Sequence, residues 1–244
     1  MYIVWNSIKA VKVLKNKAST AYLCFKKRYL QNQITHNIII LILCVIKGDK
    51  NIMERVEPIR SEKKIKDLKK YLLGAGNTRN YTLVVLGLNT ALRISDMLSL
   101  TWGDVFDFQE NTFKAHVYIK EKKTGKSKKF LLNSSALEAL IRLKKELVHI
   151  SIPDYIFKSR EGQNKSITRY MAIKIIKGAC EAVGIKEHIG CHSLRKTFGY
   201  HSWKKGVPIP MLMELFNHSN QAITKIYLGI NQDDIDDVYR LIEL

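Results

Sequence analysis

The stretch NTRNYTLVVLGLNTALRISDMLSLTWGDV, residues 77–105, is apolar almost without interruption from Leu83 to Leu92 and then meets an arginine, Arg93. A helix that is hydrophobic all round has no face to offer water, so it belongs inside a protein. The pattern predicts a buried central helix, a polar break, and a second short helix over residues 94–100, with Arg93 at the junction. The chain must fold around this element. Its 244 residues, 46% of them hydrophobic, can enclose it in one substantial domain with a small appendage.

The neighbouring segments read as the enclosure. EPIRSEKKIKDLKKYLLGAG sets Ile65, Leu68, Leu72 and Leu73 near one helical face, with Ser61 as N-cap and the Gly74 to Gly76 region as the stop. FKAHVYIKEKKTGKSKKFLLN alternates, carries strand formers at Val117, Tyr118 and Ile119, and turns at Thr124-Gly125. It predicts a hairpin with a strongly basic tip. Helical periodicity returns over residues 135–149, 166–183, 192–205 and 210–216. The expected class is α+β, mainly α-helical with a small antiparallel sheet or hairpin.

Forty-one Lys and Arg against 22 Asp and Glu give a net charge of +19. Such an excess attracts polyanions, nucleic acid first among them, although a merely solvated basic surface is the plainer alternative. Residues 1–50 hold nine Lys or Arg against one Asp and close on the apolar run Ile38 to Ile46. That run is too short for a bilayer, which takes about twenty apolar residues, and no small-residue cleavage site follows it. Residues 1–52 are therefore expected to be a basic appendage, a tail, or an extension ahead of a domain spanning 53–244. No membrane partner is expected. Cys24, Cys44, Cys180 and Cys191 are too sparse for a disulfide framework, so reduced thiols and a cytoplasmic setting are expected. His188, Cys191 and His192 cluster but lack a second paired half at finger-like spacing, and no metal or other cofactor is expected.

The chemistry-bearing residues gather toward the C-terminus. His192 and Arg195 stand three apart, which on a helix puts them on one face, with Leu194 and Phe198 toward the core. His218 precedes Tyr227 by nine residues, and Arg93 lies upstream. Two guanidiniums, two imidazoles and a phenol fit phosphodiester chemistry, because guanidinium forks match the oxygens of a phosphate that gains charge as a nucleophile adds. Asp104, Asp107 and Glu110 do not make a two-metal carboxylate set, which argues against a metal-dependent nuclease.

Taken in order, NTALRISDMLSLTWGDV, KKTGKSKKFLL, HSLRKTFGYHSWKKGVP and LFNHSNQAITKIYLGI resemble the tyrosine recombinase, or phage integrase, family from about Ile59 to Ile230. The resemblance covers the catalytic domain only. It implies that Arg93 and Arg195 clamp the scissile phosphate, with Asp96 buttressing the site. Lys123 on the hairpin turn would protonate the leaving 5′ oxygen; Lys122 and Lys126 are close enough to compete for that role. Lys122, Lys126, Lys128 and Lys129 would contact phosphates nonspecifically. His192 would accept the tyrosine proton or position the phosphate, His218 would donate to a non-bridging oxygen, and Tyr227 would be the nucleophile. LFNH departs from the family's usual Leu-Gly-His, with Asn217 in the glycine's place, a substitution asparagine can carry because it also enters left-handed backbone.

The implied reaction is attack by Tyr227 on phosphorus, giving a 3′-phosphotyrosine and a free 5′ hydroxyl, reversed by a 5′ hydroxyl from another strand. The implied partners are double-stranded DNA, further copies of the chain in a tetrameric synapse, and an accessory DNA-bending or directionality protein. A noncatalytic DNA-binding regulator of the same fold and a type IB topoisomerase are the alternatives. After Tyr227, NQDDIDDVYRLIEL reads as an acidic amphipathic helix that docks either on its own core or on a neighbouring protomer.

Overall fold

The computed structural model describes residues 56–242. The expectation for residues 1–52 lies outside them. Helix α1 (Glu62–Gly74) starts where Ser61 accepts a hydrogen bond from the Lys64 amide, and it ends at Gly74 ahead of Gly76 at φ +64°. Leu68 and Leu72 are buried as the periodicity requires, while Leu73 turns outward at 39% exposure, because consecutive helical positions point about 100° apart.

Helix α2 (Thr78–Asn89) is the all-apolar segment, capped by Asn77, and an unbroken run from Tyr81 to Gly87 is buried. It packs against α1, against α5 (Ser134–Glu146) and against α7 (Ser193–Lys204). Gly87 permits the last approach, since a Cβ there would lie 2.5 Å from Leu194 Cδ1. After α2 the chain passes through Ala91 at φ +52°, a left-handed residue that turns its carbonyl away from the helix, and reaches Arg93 in extended conformation. The short helix α3 follows over Ile94–Met97, three residues shorter than the periodicity predicts.

The sequence pattern does not announce helix α4 (Trp102–Val105), which opens on a Thr101/Asp104 capping box, or the paired two-residue strands β1 (Phe106–Asp107) and β2 (Thr112–Phe113). The predicted hairpin is β3 (His116–Lys120) paired antiparallel with β4 (Ser127–Leu131), Val117 opposite Phe130 and Lys120 opposite Ser127. Gly125 at φ +67° makes the turn. Helix α6 (Arg169–Ala182) begins at Thr168, whose side chain caps it.

The C-terminal part holds α7, α8 (Ile209–Phe216), α9 (Gln221–Leu228) and α10 (Gln232–Leu241). The main core surrounds α2, and a smaller cluster of Ala91, Leu212, Phe216 and Leu228 seats α8 and α9. Ala91 belongs to the small cluster and Leu92 to the large one, so Arg93 emerges where the two meet. The described residues form the expected α+β architecture, mainly helical with two small antiparallel sheets. Among the described residues no helix is long and apolar enough to cross a membrane.

Candidate active site

Arg195 is held rather than free. It is 3% exposed, with Nη1 donating to the Ala91 carbonyl at 2.6 Å and Nη2 to the Phe216 carbonyl at 2.9 Å. Its guanidinium lies over the Phe216 ring, and the Tyr227 hydroxyl is close enough to interact with its charge. The left-handed turn at Ala91 thus supplies one acceptor, and the end of α8 supplies the other. Fixing the guanidinium before any ligand arrives is the preorganisation an anion site needs.

Tyr227 projects from α9 into this cluster. Its hydroxyl is 3.4 Å from His192 Nδ1, and its ring packs edge-on against His218 and tilted against Phe216, with the Lys196 ammonium over its face. Gly199 on α7 makes that position possible: a Cβ there would lie 2.7 Å from Leu228 Cδ2 and 2.7 Å from Phe216 Cζ. Burial pushes the phenol above its ordinary pKa, outweighing the downward pull of Arg195 and Arg93, so it is protonated in the free protein.

The two histidines are complementary to that state. Burial, followed by the charges of Arg195, Arg169, Arg93 and Lys196, lowers His192, and burial with Arg195 and Arg93 brings His218 to about 4. Both are neutral at pH 7. A neutral His192 can take a phenolic proton. His218 shares Nδ1 with the Thr224 hydroxyl at 3.0 Å, and when that hydroxyl donates, the ring proton sits on Nε2, available to an anionic oxygen. The turn ahead of His218 forms as asparagine allows, Asn217 adopting φ +53° and ψ +44°.

Arg93 meets two buried carboxylates. Its Nη1 lies 2.6 Å from Glu121 Oε1 and 4.0 Å from Asp96 Oδ2. Asp96 Oδ1 accepts the backbone amide of Lys122 at 3.0 Å, which ties the hairpin turn to α3. Glu121 is a site residue that the sequence reading missed, since a single acid inside a lysine run looks like a solvated charge. Burial would raise its carboxyl, but Arg93, then Thr124 and Asn217, outweigh that and hold it at about 2.

The lysines divide. Lys122, Lys123, Lys126 and Lys129 are exposed on the hairpin, and Lys123 stands on the turn without an ion pair among the described residues. Lys128 differs from this group, because its Nζ donates to the carbonyls of Ala91 and Leu215, at 3.1 Å each, beside Arg195. Burial, then the Arg195 charge, brings its ammonium down to about 8. The structure therefore gathers Arg93, Asp96, His192, Arg195, His218 and Tyr227, adds Glu121 and Lys128, and leaves Lys123 on a turn tethered beside them. Cys191 accepts from Arg169 Nε and Nη2 at 3.1 and 2.9 Å.

Among the described residues the cluster thus combines cations, neutral imidazoles and one phenol, and its carboxylates, Asp96 and Glu121, both face Arg93. The model of the phage integrase family matches residues 60–233, and the chain belongs to that family. It is 39% identical over 189 residues to the probable integrase/recombinase YoeC of Bacillus subtilis (strain 168), an alignment covering 78% of this chain and 98% of that protein. It is 26% identical over 165 residues to the tyrosine recombinase XerC of Thermodesulfovibrio yellowstonii, covering 66% of this chain and 53% of XerC. The chain thus spans about half the length of that relative. Among solved structures, XerA recombinase superposes with a TM-score of 0.62 at 20% identity over 93% of this chain and 82% of XerA. XerH recombinase bound to palindromic difH substrate gives 0.60 at 18% identity, over 78% of this chain and 54% of XerH.

Proposed function

We propose that this chain is a site-specific DNA recombinase that cleaves and rejoins strands through a 3′-phosphotyrosine. The observation that carries the reading is Tyr227 held against both Arg195 and a neutral His192. In this reading a phosphodiester enters between Arg93 and Arg195, and Tyr227 Oη attacks phosphorus as its proton passes to His192. The P–O5′ bond breaks, and the leaving oxygen takes a proton from Lys123. Arg93, Arg195 and His218 face the charge that builds on the non-bridging oxygens. The ester conserves the bond, so a 5′ hydroxyl from another strand can reverse the step.

The proposed partners are double-stranded DNA and, on it, further copies of this chain. Support for the second comes from α10. Asp234 pins it to α7 by accepting from the Tyr200 hydroxyl and Lys204, both at 3.0 Å, yet Ile235, Val238 and Leu241 remain 45%, 54% and 79% exposed. That apolar face suits packing on a neighbouring protomer in a synapse. The test is incubation with genomic and element-flanking DNA, followed by sequencing of protein-linked ends. Recurrent 3′-linked ends at one paired site are expected. Noncovalent binding alone would make the chain a regulator, and scattered cleavage relaxing supercoils without synapsis would make it a topoisomerase.

A further inference from the structure

Glu121 is buried at 1% exposure inside the most basic segment of the chain, and it has no place in the reaction as derived above. Its contacts are distributed over three separate segments. Oε1 faces Arg93 Nη1 at 2.6 Å, Oε2 accepts from Thr124 Oγ1 at 2.7 Å, and the Asn217 side chain lies near enough to favour the charged carboxylate. Its backbone closes the hairpin turn, Glu121 N donating to Lys126 O at 2.9 Å and Glu121 O accepting from Gly125 N at 2.8 Å.

These segments carry three different functions. Arg93 belongs to the phosphate clamp, Thr124 follows Lys123, and Asn217 precedes His218. A carboxylate that pairs with Arg93 by charge, accepts a hydrogen bond from Thr124 and lies beside Asn217 ties their mutual spacing. Asp96 holds the turn at the Lys122 amide, and Glu121 adds a tie at Thr124, beside Lys123, while the side chains of Lys122, Lys123 and Lys126 are themselves exposed. The Asp96 carboxylate reaches the turn at the Lys122 amide rather than at Thr124, and it stands farther from Arg93, at 4.0 Å against 2.6 Å for Glu121.

We propose that Glu121 is a positioning residue that locks the Lys123-bearing turn to Arg93 and to the His218 turn, so that the leaving-group acid and the phosphate clamp meet one phosphodiester in register. The proposal rests on the recombinase reading above. Glu121 touches neither the phosphate nor the leaving oxygen. Its effect passes through Lys123, and that gives it a chemical signature. A leaving alkoxide needs a proton as the P–O5′ bond breaks, whereas a thiolate, with a reference pKa near 8.5, leaves without one.

The experiment uses the full chain and duplex oligonucleotides bearing the recovered site, with either oxygen or sulfur as the bridging 5′ atom. Glu121→Gln and Lys123→Ala are both expected to slow covalent cleavage of the oxygen substrate by about 10²-fold, the scale of a displacement near 1 Å. Both should return to within a few-fold of the parent on the sulfur substrate. Arg195→Lys should stay slow on both. A Glu121→Gln loss equally large on the two substrates, or no loss on either, overturns the coupling. Hydrogen exchange on the DNA-free protein gives a second readout that needs no substrate. Glu121→Gln should speed exchange at once in peptides covering residues 90–98, 121–127 and 214–219. Faster exchange in the hairpin alone also overturns the proposal. Parent protein that cleaves neither substrate sinks the recombinase reading instead, and the exchange pattern then decides the role of Glu121 by itself.

Discussion

Gly199→Ala should destabilise the protein and misplace its nucleophile, whereas Gly178→Ala, the same chemical change in another helix, should do neither. The added Cβ at Gly199 would sit 2.7 Å from Leu228 Cδ2 and 2.7 and 2.8 Å from two ring atoms of Phe216. Carbon atoms make favourable contact at about 3.5–4.0 Å, so the neighbours must retreat by about 1 Å. Leu228 and Phe216 are both 0% exposed and have no empty side to rotate into, so the movement falls on α9 and the end of α8. Overpacking of this kind costs about 1–3 kcal/mol. Tyr227 is the residue before Leu228, and displacing a reacting group by about 1 Å costs about 10²-fold in rate. At Gly178 a Cβ meets nothing within 4 Å. There the gain in helix propensity should stabilise by about 0.5–1 kcal/mol. Urea denaturation reads the stability of both variants, and covalent trapping on cleavable DNA reads the rate. Gly199→Ala with unchanged stability and rate would refute the packing of α9 on α7 as described.

Three further outcomes follow from the same geometry. Arg195→Lys should lower the cleavage rate by about 10²–10³-fold while DNA affinity changes little, because one ammonium cannot serve the Ala91 and Phe216 carbonyls and the phenol together; single-turnover cleavage beside a gel-shift titration checks it, and an undiminished rate contradicts it. Stability should fall as pH drops from about 6.5 toward 4, because the unfolded chain binds protons at His192 and His218 that the folded protein, with both pKa values depressed, refuses; urea melts should show a smaller loss in His218→Gln, and identical pH slopes would contradict it. DNA affinity should fall steeply with salt, at a log–log slope near −0.9 per phosphate neutralised, given a net charge of +19; a flat dependence would remove DNA as the partner.

The long elements were legible because their burial is one-sided or total. Leu68 and Leu72 fall where a 3.6-residue period puts them, and the run in α2 is apolar because every face of it is covered. Helix α9 was not read as a helix, although it carries Tyr227. It is only eight residues long, too short to establish a period, and its apolar Ile223 and Ile226 face outward while Thr224 and Leu228 are buried, so apolarity did not mark the core side. The residues proposed for the site stand in the sequence as an ordered set of residue types. Their supports were not legible, because they depend on which buried groups meet across distant segments. Glu121 meets Arg93 only once the hairpin folds back on α3. Lys128 looked like its exposed neighbours, and strand alternation alone could not show that its ammonium ends on two carbonyls.

The central claim is that Tyr227 forms the covalent bond to DNA, and mapping that bond tests it most directly. Cleavage products trapped on a suicide duplex would be digested with protease and nuclease, and the nucleotide-bearing peptide identified by mass spectrometry, with Tyr227→Phe run beside the parent. The account predicts a 3′-nucleotide adduct on the peptide containing Ile226, Tyr227 and Leu228, and none from the Phe variant, whose DNA binding is otherwise retained. An adduct on Tyr200 or Tyr239, or any adduct from Tyr227→Phe, would contradict it.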